Sequence, residues 1–448
     1  MTKKTFYIES LGCKVNQYES DGIAAQLEAH GFSRAGKGHP ADICIVNTCA
    51  VTAKAGMQSR QETRKLIREH PGATVIVTGC HAQTDPEQFK KICGVDLIAC
   101  HQDKNLIPAY LTREPPEKNL FEFRKPECSK RARFVEFAES DRSVSGKMTR
   151  AYLKIQDGCN QFCTYCIIPY ARGTSVSMPF DRVMTHVSGL NRQGFKEVIL
   201  TGIHTGLYGL DLKPETSLTQ LVKTLDENRP VDQIRISSIE PNEITADLIH
   251  MARPGHILCD HFHIPLQSGD NGVLSRMKRP YTIEQFSDII LSIHDTLPHA
   301  GIGLDVIMGF PGETGKAFEN TYRLVATLPV SYLHVFPYSP RKGTPAWHFT
   351  PKVPSDTAKK RAALMRELGE QKHAAFIKSN QGRILKGLIQ NQRDRRTGML
   401  KAVTTNYLTI LIKNETDADG NPDSLKGKIV NIKYDQCGRG NCLLGRIV

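Results

Sequence analysis

The sequence predicts an α/β protein in three parts: an N-terminal parallel α/β domain, a partial (β/α)6 TIM-like barrel and a small C-terminal β-barrel. Three observations carry that reading. Short apolar runs alternate with amphipathic, helix-length segments through roughly the first 110 residues. A second series of the same kind, six units long, begins at Arg150. Five short strand patterns then fill the last 68 residues, after a long charged helical stretch. A length of 448 residues accommodates two or three domains, and 40% hydrophobic with 23% charged residues is ordinary for a globular chain.

The first domain is assigned to residues 1–115. Its strands are Thr5-Phe-Tyr-Ile-Glu-Ser, Asp42-Ile-Cys-Ile-Val-Asn, Ala73-Thr-Val-Ile-Val-Thr and Val95-Asp-Leu-Ile-Ala, with helices over Tyr18 to His30 and Lys54 to Glu69. Residues 116–148 are charged and irregular, contain Lys130-Arg-Ala-Arg, and read as a linker with room for one strand. The barrel domain, 149–379, has strands starting near Tyr152, Glu197, Gln233, Phe262, Gly303 and Tyr332, and a closing helix over Ser355 to Ser379. The C-terminal domain, 380–448, has strands at Arg383-Ile-Leu-Lys-Gly-Leu-Ile, Met399-Leu-Lys-Ala-Val, Tyr407-Leu-Thr-Ile-Leu-Ile, Lys428-Ile-Val-Asn-Ile and from Leu443 onward.

A formal charge of +13 and a pI near 9.1 point to a polyanionic partner, most simply nucleic acid. From Gln381 onward twelve Lys/Arg face six Asp/Glu, which places +6 of that excess in the last domain. The N-terminal segment lacks the apolar stretch of a signal peptide. No run approaches the roughly 18 apolar residues of a membrane span, so a cytoplasmic protein without a membrane partner is expected. In that compartment thirteen cysteines read as metal ligands and free thiols.

Cys159, Cys163 and Cys166 form a Cys-x-x-x-Cys-x-x-Cys triplet just after the first barrel strand, where TIM-like barrels carry their chemistry. Three thiolates in eight residues hold three irons of a four-iron cluster, and no fourth cysteine follows nearby. The remaining iron is then open to a small molecule. A zinc knot is the alternative, but it wants four ligands, usually in two separated pairs. Cys13, Cys49 and Cys80 each follow one of the first three N-terminal strands. Parallel strands end on one side, so these three converge as a second set for one cluster; three unrelated buried thiols are the alternative. Cys100 ends the fourth run and would close that site if it joined. Cys44 lies inside its strand and reads as core. Cys93, Cys128 and Cys259 show no ligand spacing, and Cys437 and Cys442 read as bystanders.

The Cys159 triplet, set in Gln156-Asp-Gly-Cys, resembles that of the radical S-adenosylmethionine (radical SAM) enzymes. Further motifs are Leu11-Gly-Cys-Lys-Val-Asn-Gln-Tyr-Glu-Ser, Asn47-Thr-Cys-Ala-Val-Thr, Thr78-Gly-Cys-His-Ala-Gln, Leu200-Thr-Gly-Ile-His-Thr-Gly, Arg235-Ile-Ser-Ser-Ile-Glu-Pro, His263-Ile-Pro-Leu-Gln-Ser-Gly, Met308-Gly-Phe-Pro-Gly-Glu-Thr and His334-Val-Phe-Pro-Tyr-Ser. With these the chain resembles the methylthiotransferase family over nearly its whole length. Its C-terminal barrel occupies the place of that family's RNA-binding TRAM domain. The flanks of Cys13 and Cys159 are most similar to the branch that methylthiolates C2 of N6-L-threonylcarbamoyladenosine at tRNA position 37. The isopentenyladenosine and ribosomal-protein branches are alternatives. A non-catalytic iron–sulfur protein that binds RNA or senses redox state is the alternative of another class.

The resemblance implies two [4Fe-4S] clusters and two S-adenosylmethionine molecules per turnover. Cys159, Cys163 and Cys166 would hold the cluster that cleaves one of them to a 5′-deoxyadenosyl radical, which abstracts hydrogen to prepare C2. Cys13, Cys49 and Cys80 would hold the cluster that presents sulfur, methylated by the other. The implied partners are the anticodon loop of tRNA and a low-potential electron donor such as flavodoxin or ferredoxin. The resemblance also places cofactor contacts at Tyr165, beside the adenine, and at Thr201 and Gly202, near the methionine amino group. Ser237 and Ser238 would meet ribose or carboxylate, and Gly309 would allow close backbone approach. His261 and His263 read as structural. One departure stands out: after Pro169-Tyr-Ala-Arg-Gly the family often carries more arginines, whereas this chain has the uncharged Thr174-Ser-Val-Ser-Met-Pro and keeps Arg172.

Overall fold

A computed structural model describes residues 3–112, 134–137, 148–413, 422–437 and 443–448. At the N-terminus β1 (Thr5–Ser10), β2 (Ser33–Arg34), β3 (Ile43–Thr48), β4 (Thr74–Gly79) and β5 (Leu97–Ile98) form one parallel sheet in the order β2-β1-β3-β4-β5. The central strand β3 is buried at every position, which is why its sequence is a continuous rather than alternating apolar run. Register pairs Ser10 with Asn47 and Thr48 with Gly79, so β1, β3 and β4 end level with one another. The helix after β1 spans Lys14–Ala29, and the helix after β3 spans Ala53–Glu69, capped by the Thr52 hydroxyl, which accepts from Ala55 N–H at 3.1 Å.

The second unit contains β6 (Ala151–Lys154), β7 (Gln156–Asp157), β8 (Val176–Ser177), β9 (Glu197–Thr201), β10 (Gln233–Ile236), β11 (His261–Gln267), β12 (Gly301–Met308) and β13 (Tyr332–Pro337). Two parallel three-stranded sheets, β10-β9-β6 and β11-β12-β13, meet at a bridge between Ile234 and Leu258 and make the six-stranded partial barrel. Helix Lys14–Ala29 of the first unit packs beside β6, and helix Ser355–Ser379 packs on β13. The pair β7–β8 is antiparallel and answers the departure in the sequence. Val176, Ser177 and Met178 are buried, so this part of the uncharged stretch braces the Cys159–Cys166 loop instead of facing solvent.

β14 (Ile384–Ile389), β15 (Leu400–Thr404), β16 (Thr409–Ile412), β17 (Ile429–Cys437) and β18 (Leu443–Ile447) close a barrel in the order β14-β15-β16-β18-β17, around a core that includes Leu385, Ile389, Leu400, Ile410 and Ile432. It docks on the strand-start end of the six-stranded unit. Tyr407 (φ +74°) stacks on His261 with ring centroids 4.3 Å apart, and the Arg235 guanidinium lies 5.1 Å from the Tyr407 ring centre. Arg235 also donates to the carbonyls of Thr404 and Thr405 at 3.0 and 2.8 Å.

Within the stretch read as a linker, Phe134–Phe137 is described. Val135 and Phe137 are buried in the main core, where a Cβ added at Gly22 would lie 2.4 Å from the Phe137 ring. These four residues form no strand but are anchored. Cys128, Lys130-Arg-Ala-Arg and Cys442 lie outside the described residues. Among the described residues, no helix is long and apolar enough to cross a membrane.

Candidate active site between two cysteine triplets

The level strand ends of the first sheet bring Cys13, Cys49 and Cys80 to one edge. Cys13 precedes the first helical residue, Cys49 follows β3 directly, and Cys80 opens the short helix Cys80–Thr84. Two glycines make the approach possible. Gly12 (φ +99°) leaves room for Cys49, whose sulfur would lie 2.7 Å from an added Cβ. Gly79 (φ +97°) crosses β3 so closely that a Cβ would meet the Thr48 carbonyl oxygen at 2.4 Å. Burial pushes the Cys49 thiol up to about 12, and the neighbouring charges of Cys80 and Cys13 push in the same direction. Burial also raises Cys80, opposed by Arg172, whose Nε–H donates to the Cys80 sulfur at 3.2 Å.

The second triplet sits on the loop between β7 and β8. Gly158 lies against this brace, since a Cβ there would fall 2.1 Å from the Thr174 carbonyl oxygen, and Cys159 N–H donates to the Gly173 carbonyl at 3.1 Å. Phe162 takes φ of +47° inside the loop. Each sulfur has its own surroundings. Cys159 Sγ is 3.3 Å from His204 Nδ1, and His204 Nε2 is 2.5 Å from Glu243. Burial opposes a charge on His204, but its bonds to Cys159 and Glu243 prevail and lift it to about 10. Arg279 donates to the Cys163 sulfur at 3.2 Å and pairs with Glu240. Burial pushes Cys166 up to about 12.

These donor sets fit iron–sulfur clusters. Among the described residues, the groups spaced for a single ion are His263–Asp305–His334 and Glu19–His101–Asp157; the six cysteines are not in them. Their wider spacing suits a multi-iron cluster and not one zinc ion. Because burial holds the Cys49, Cys80, Cys163 and Cys166 thiols high, loading metal on them requires proton release.

A buried charge network joins the two triplets. Arg172 donates to Glu19 and Asp157, both at 2.9 Å, and to Asn16 at 2.7 Å, besides its bond to Cys80. Lys104 pairs with Glu19, and Lys154 reaches Glu19 at 3.2 Å and Asp157 at 2.8 Å. Burial alone would raise Glu19; Arg172, Lys104 and Lys154 outweigh it and hold the carboxyl well below the usual range. Three basic side chains thus face two carboxylates, and a Cys80 thiolate, were it to ligate iron, would complete the balance. Arg172 is the retained arginine of the sequence motif, while Asp157 lies two residues before Cys159.

The loops also pack directly on each other, with Ala50 and Cys80 against Ile167 and Ala171. Above the barrel mouth they enclose a cavity of about 210 Å³. Val51 and Thr52, just after Cys49, line one side; Tyr165, Gln267, Ile307 and Phe336 line the other. Tyr165 packs edge-on to Phe310 at 6.4 Å between centroids. Thr201, at the end of β9, is buried, and its carbonyl accepts from Ile155 N–H at 2.9 Å. Gly202 lies over the Gln156 side chain, whose Oε1 would be 2.9 Å from an added Cβ and accepts from the N–H groups of Ile203 and His204. Ser237 N–H donates to the Leu200 carbonyl, and the Ser238 carbonyl accepts from Thr205. Gly309 N–H is taken by the Glu313 carboxylate at 3.1 Å, and its Cα faces Ala358. Cys100 is buried and precedes the turn His101–Leu106, and Cys44 is core. Sequence reasoning missed Arg279, Glu240, Glu243 and the clamp made by Gln156. Gln156 and Glu240 stand inside quoted motifs, whereas Arg279 has no spacing signal.

Residues 5–100 match the family described as Uncharacterized protein family UPF0004, and residues 153–325 match the Radical SAM superfamily. The chain is 37% identical to the threonylcarbamoyladenosine tRNA methylthiotransferase MtaB of Bacillus subtilis, over 97% of its own length and 94% of the relative's. It is 32% identical to the tRNA-2-methylthio-N(6)-dimethylallyladenosine synthase of Clostridium tetani, over 96% and 94% of the two lengths. Among solved structures, the radical S-adenosylmethionine methyltransferase TsrM of Kitasatospora setae, with cobalamin and a [4Fe-4S] cluster bound, superposes with a TM-score of 0.56 over 75% of each chain at 13% identity, a likeness of fold.

Proposed function

Because this chain belongs to the radical SAM tRNA methylthiotransferase family, we propose that it adds a methylthio group to C2 of N6-threonylcarbamoyladenosine at position 37 of tRNA. The observation that carries the reading is the packing of the two cysteine-bearing loops on each other beside one cavity lined by residues next to Cys49 and Cys166. An adenine C2–H is neither acidic nor electrophilic, so side-chain acids and bases alone cannot activate it. When bound, two [4Fe-4S] clusters and two S-adenosylmethionine molecules per turnover supply the one-electron cleavage, the methyl group and the sulfur.

The chain's residues hold and aim these groups. Cys159, Cys163 and Cys166 ligate the cleaving cluster, and Arg279 sets a positive charge on the Cys163 sulfur. Cys13, Cys49 and Cys80 ligate the sulfur-bearing cluster, with Arg172 on Cys80. Tyr165, Thr201, Gly202, Ser237, Ser238 and Gly309 are the candidate contacts to S-adenosylmethionine. The C-terminal barrel, read as a TRAM-like domain over 380–448, grips RNA phosphates, and the anticodon loop presents an unstacked base to the cavity. A low-potential donor such as flavodoxin or ferredoxin delivers electrons in the cytoplasm.

Mass spectrometry of tRNA nucleosides from cells with and without the gene tests the substrate. Loss of 2-methylthio-N6-threonylcarbamoyladenosine alone is expected; loss of the isopentenyl counterpart instead would move the chain to the sister branch. In purified enzyme, Cys159→Ala should abolish reductive formation of 5′-deoxyadenosine. Cys80→Ala should spare it and stop sulfur insertion, and unchanged thiolation would remove the second cluster from the reading.

A further inference from the structure

Gln267 ends β11 in a conformation that most residues avoid. Its φ is +64°, in the left-handed region that favours glycine. Ser268 N–H donates to the Leu266 carbonyl at 2.8 Å and closes a three-residue turn around it. The pairing of β11 with β12 slips at the same point, between Pro265 and Gln267. The flanks hold this geometry in place. Leu266 and Ser268 are fully buried, and the Tyr281 hydroxyl lies 2.7 Å from the Pro265 carbonyl oxygen and 3.1 Å from that of Leu266. Gly269 N–H donates to the Thr321 hydroxyl at 2.9 Å. Strain of this kind persists only where neighbours over-determine it, and it collects at ligand sites.

The strained turn aims a side chain. Gln267 lines the cavity beside the two cysteine-bearing loops, and its carboxamide forms no hydrogen bond with any described residue. Other polar groups on the wall are already engaged. Asp305 faces His263 and His334, the Ser339 hydroxyl accepts from Ala53 N–H, and the Thr52 hydroxyl caps its helix. Val51, Tyr165, Ile307 and Phe336 make much of the remaining wall apolar. The cavity of about 210 Å³ is smaller than the roughly 300 Å³ at which sites for drug-sized ligands begin. It suits a single flat base.

Resting on the function proposed above, we propose that Gln267 is a specificity-determining residue that reads the target base, its Oε1 accepting the adenine N6–H and its Nε2 donating to N7. A carboxamide sets one acceptor beside one donor, which matches that edge of adenine. Guanine presents two acceptors there and leaves Oε1 without a donor. N6 of threonylcarbamoyladenosine keeps one hydrogen, so the modification preserves the match. C2 lies across the ring system from this edge. A base held by Gln267 therefore turns C2 toward the opposite wall, where Val51 and Thr52 follow Cys49.

The test uses the reconstituted full-length enzyme under anaerobic conditions and two anticodon stem-loops. One bears N6-threonylcarbamoyladenosine and the other its 7-deaza analogue, in which C–H replaces N7. Wild-type enzyme should bind the first about fivefold to tenfold more tightly. Gln267→Met should bind both at the weaker level. Gln267→Glu should invert the preference, because a carboxylate repels the N7 lone pair but not the C–H; a merely structural role would weaken both stem-loops together. S-Adenosylmethionine carries the same adenine edge, so its binding is measured by equilibrium dialysis on each protein and should not change. Iron content verifies that both clusters are loaded. Equal binding of the two stem-loops by wild type overturns the proposal without any variant, as does an undiminished preference in Gln267→Met. Weakened S-adenosylmethionine binding with the stem-loop preference intact would assign Gln267 to the cofactor and overturn it too. Methylthiolation of an isopentenyladenosine stem-loop but not of the threonylcarbamoyl one would instead defeat the function on which this rests.

Discussion

At Gly12 the chain turns with φ of +99°, and an added Cβ would lie 2.7 Å from the Cys49 sulfur. Gly12→Ala should therefore disrupt the N-terminal cluster and leave the barrel one. Iron content should fall from about eight to about four per chain while 5′-deoxyadenosine formation persists. Arg172 gives a second expectation. Its removal in Arg172→Met leaves Glu19 and Asp157 buried with Lys154 as their remaining shared partner, and urea unfolding of the metal-free chain should show a loss of about 3–5 kcal/mol. The cysteines were legible because their spacing, or their place at strand ends, carries geometry in one dimension, whereas Arg172 stood out only as the retained arginine of a motif. Arg279 was not legible, since it meets Cys163 across 116 residues and nothing in its local sequence marks the contact.

The turn His101–Leu106 lays His101 and Lys104 into the seam between the first two units. Burial drives His101 down to about 4 from the ordinary 6.5. Between those values the unfolded chain binds more protons than the folded one, so stability rises with pH there and is lost on acidification. His101→Gln should flatten the dependence of the urea midpoint between pH about 4 and 6.5 by up to about one proton; an unchanged slope would place the titration elsewhere, His81, held near 4, and His261, held well below 6.5, being further buried histidines with lowered values. Elements with a full period were readable: β1, β9 and helix Ser355–Ser379 fall at the expected residues. The two-residue strands β2, β7 and β8 were not, because two residues carry no periodicity, and β7–β8 exists through pairing across the cysteine loop. Phe137 likewise looked like part of an irregular stretch until Gly22 supplied the space it fills.

Across the whole molecule the net charge of +13 must act at a distance as well as by direct pairing. The logarithm of the RNA binding constant should fall linearly with the logarithm of salt concentration. Replacing Arg395 and Arg396, exposed in the turn between β14 and β15, by Gln should lower that slope by about one for each phosphate the chain no longer neutralises. The order of the three units was visible in the sequence, but the face on which the last one docks was not, because it is decided by Tyr407, Arg235 and His261 meeting across folds.

That docking face sets a length. Gly301, at the start of β12, abuts Asn406 of the C-terminal barrel, while Ile307 of the same strand lines the cavity. Six residues of strand rise about 20 Å, so the barrel proposed to grip phosphates and the cavity proposed as the point of chemistry lie at opposite ends of a rigid gauge. A nucleotide that fits the cavity but brings no stem to span that gap engages one end only. Size, measured before any base is read, becomes a condition for entry, and short loops lacking a stem should be poor substrates however well their modified base fits.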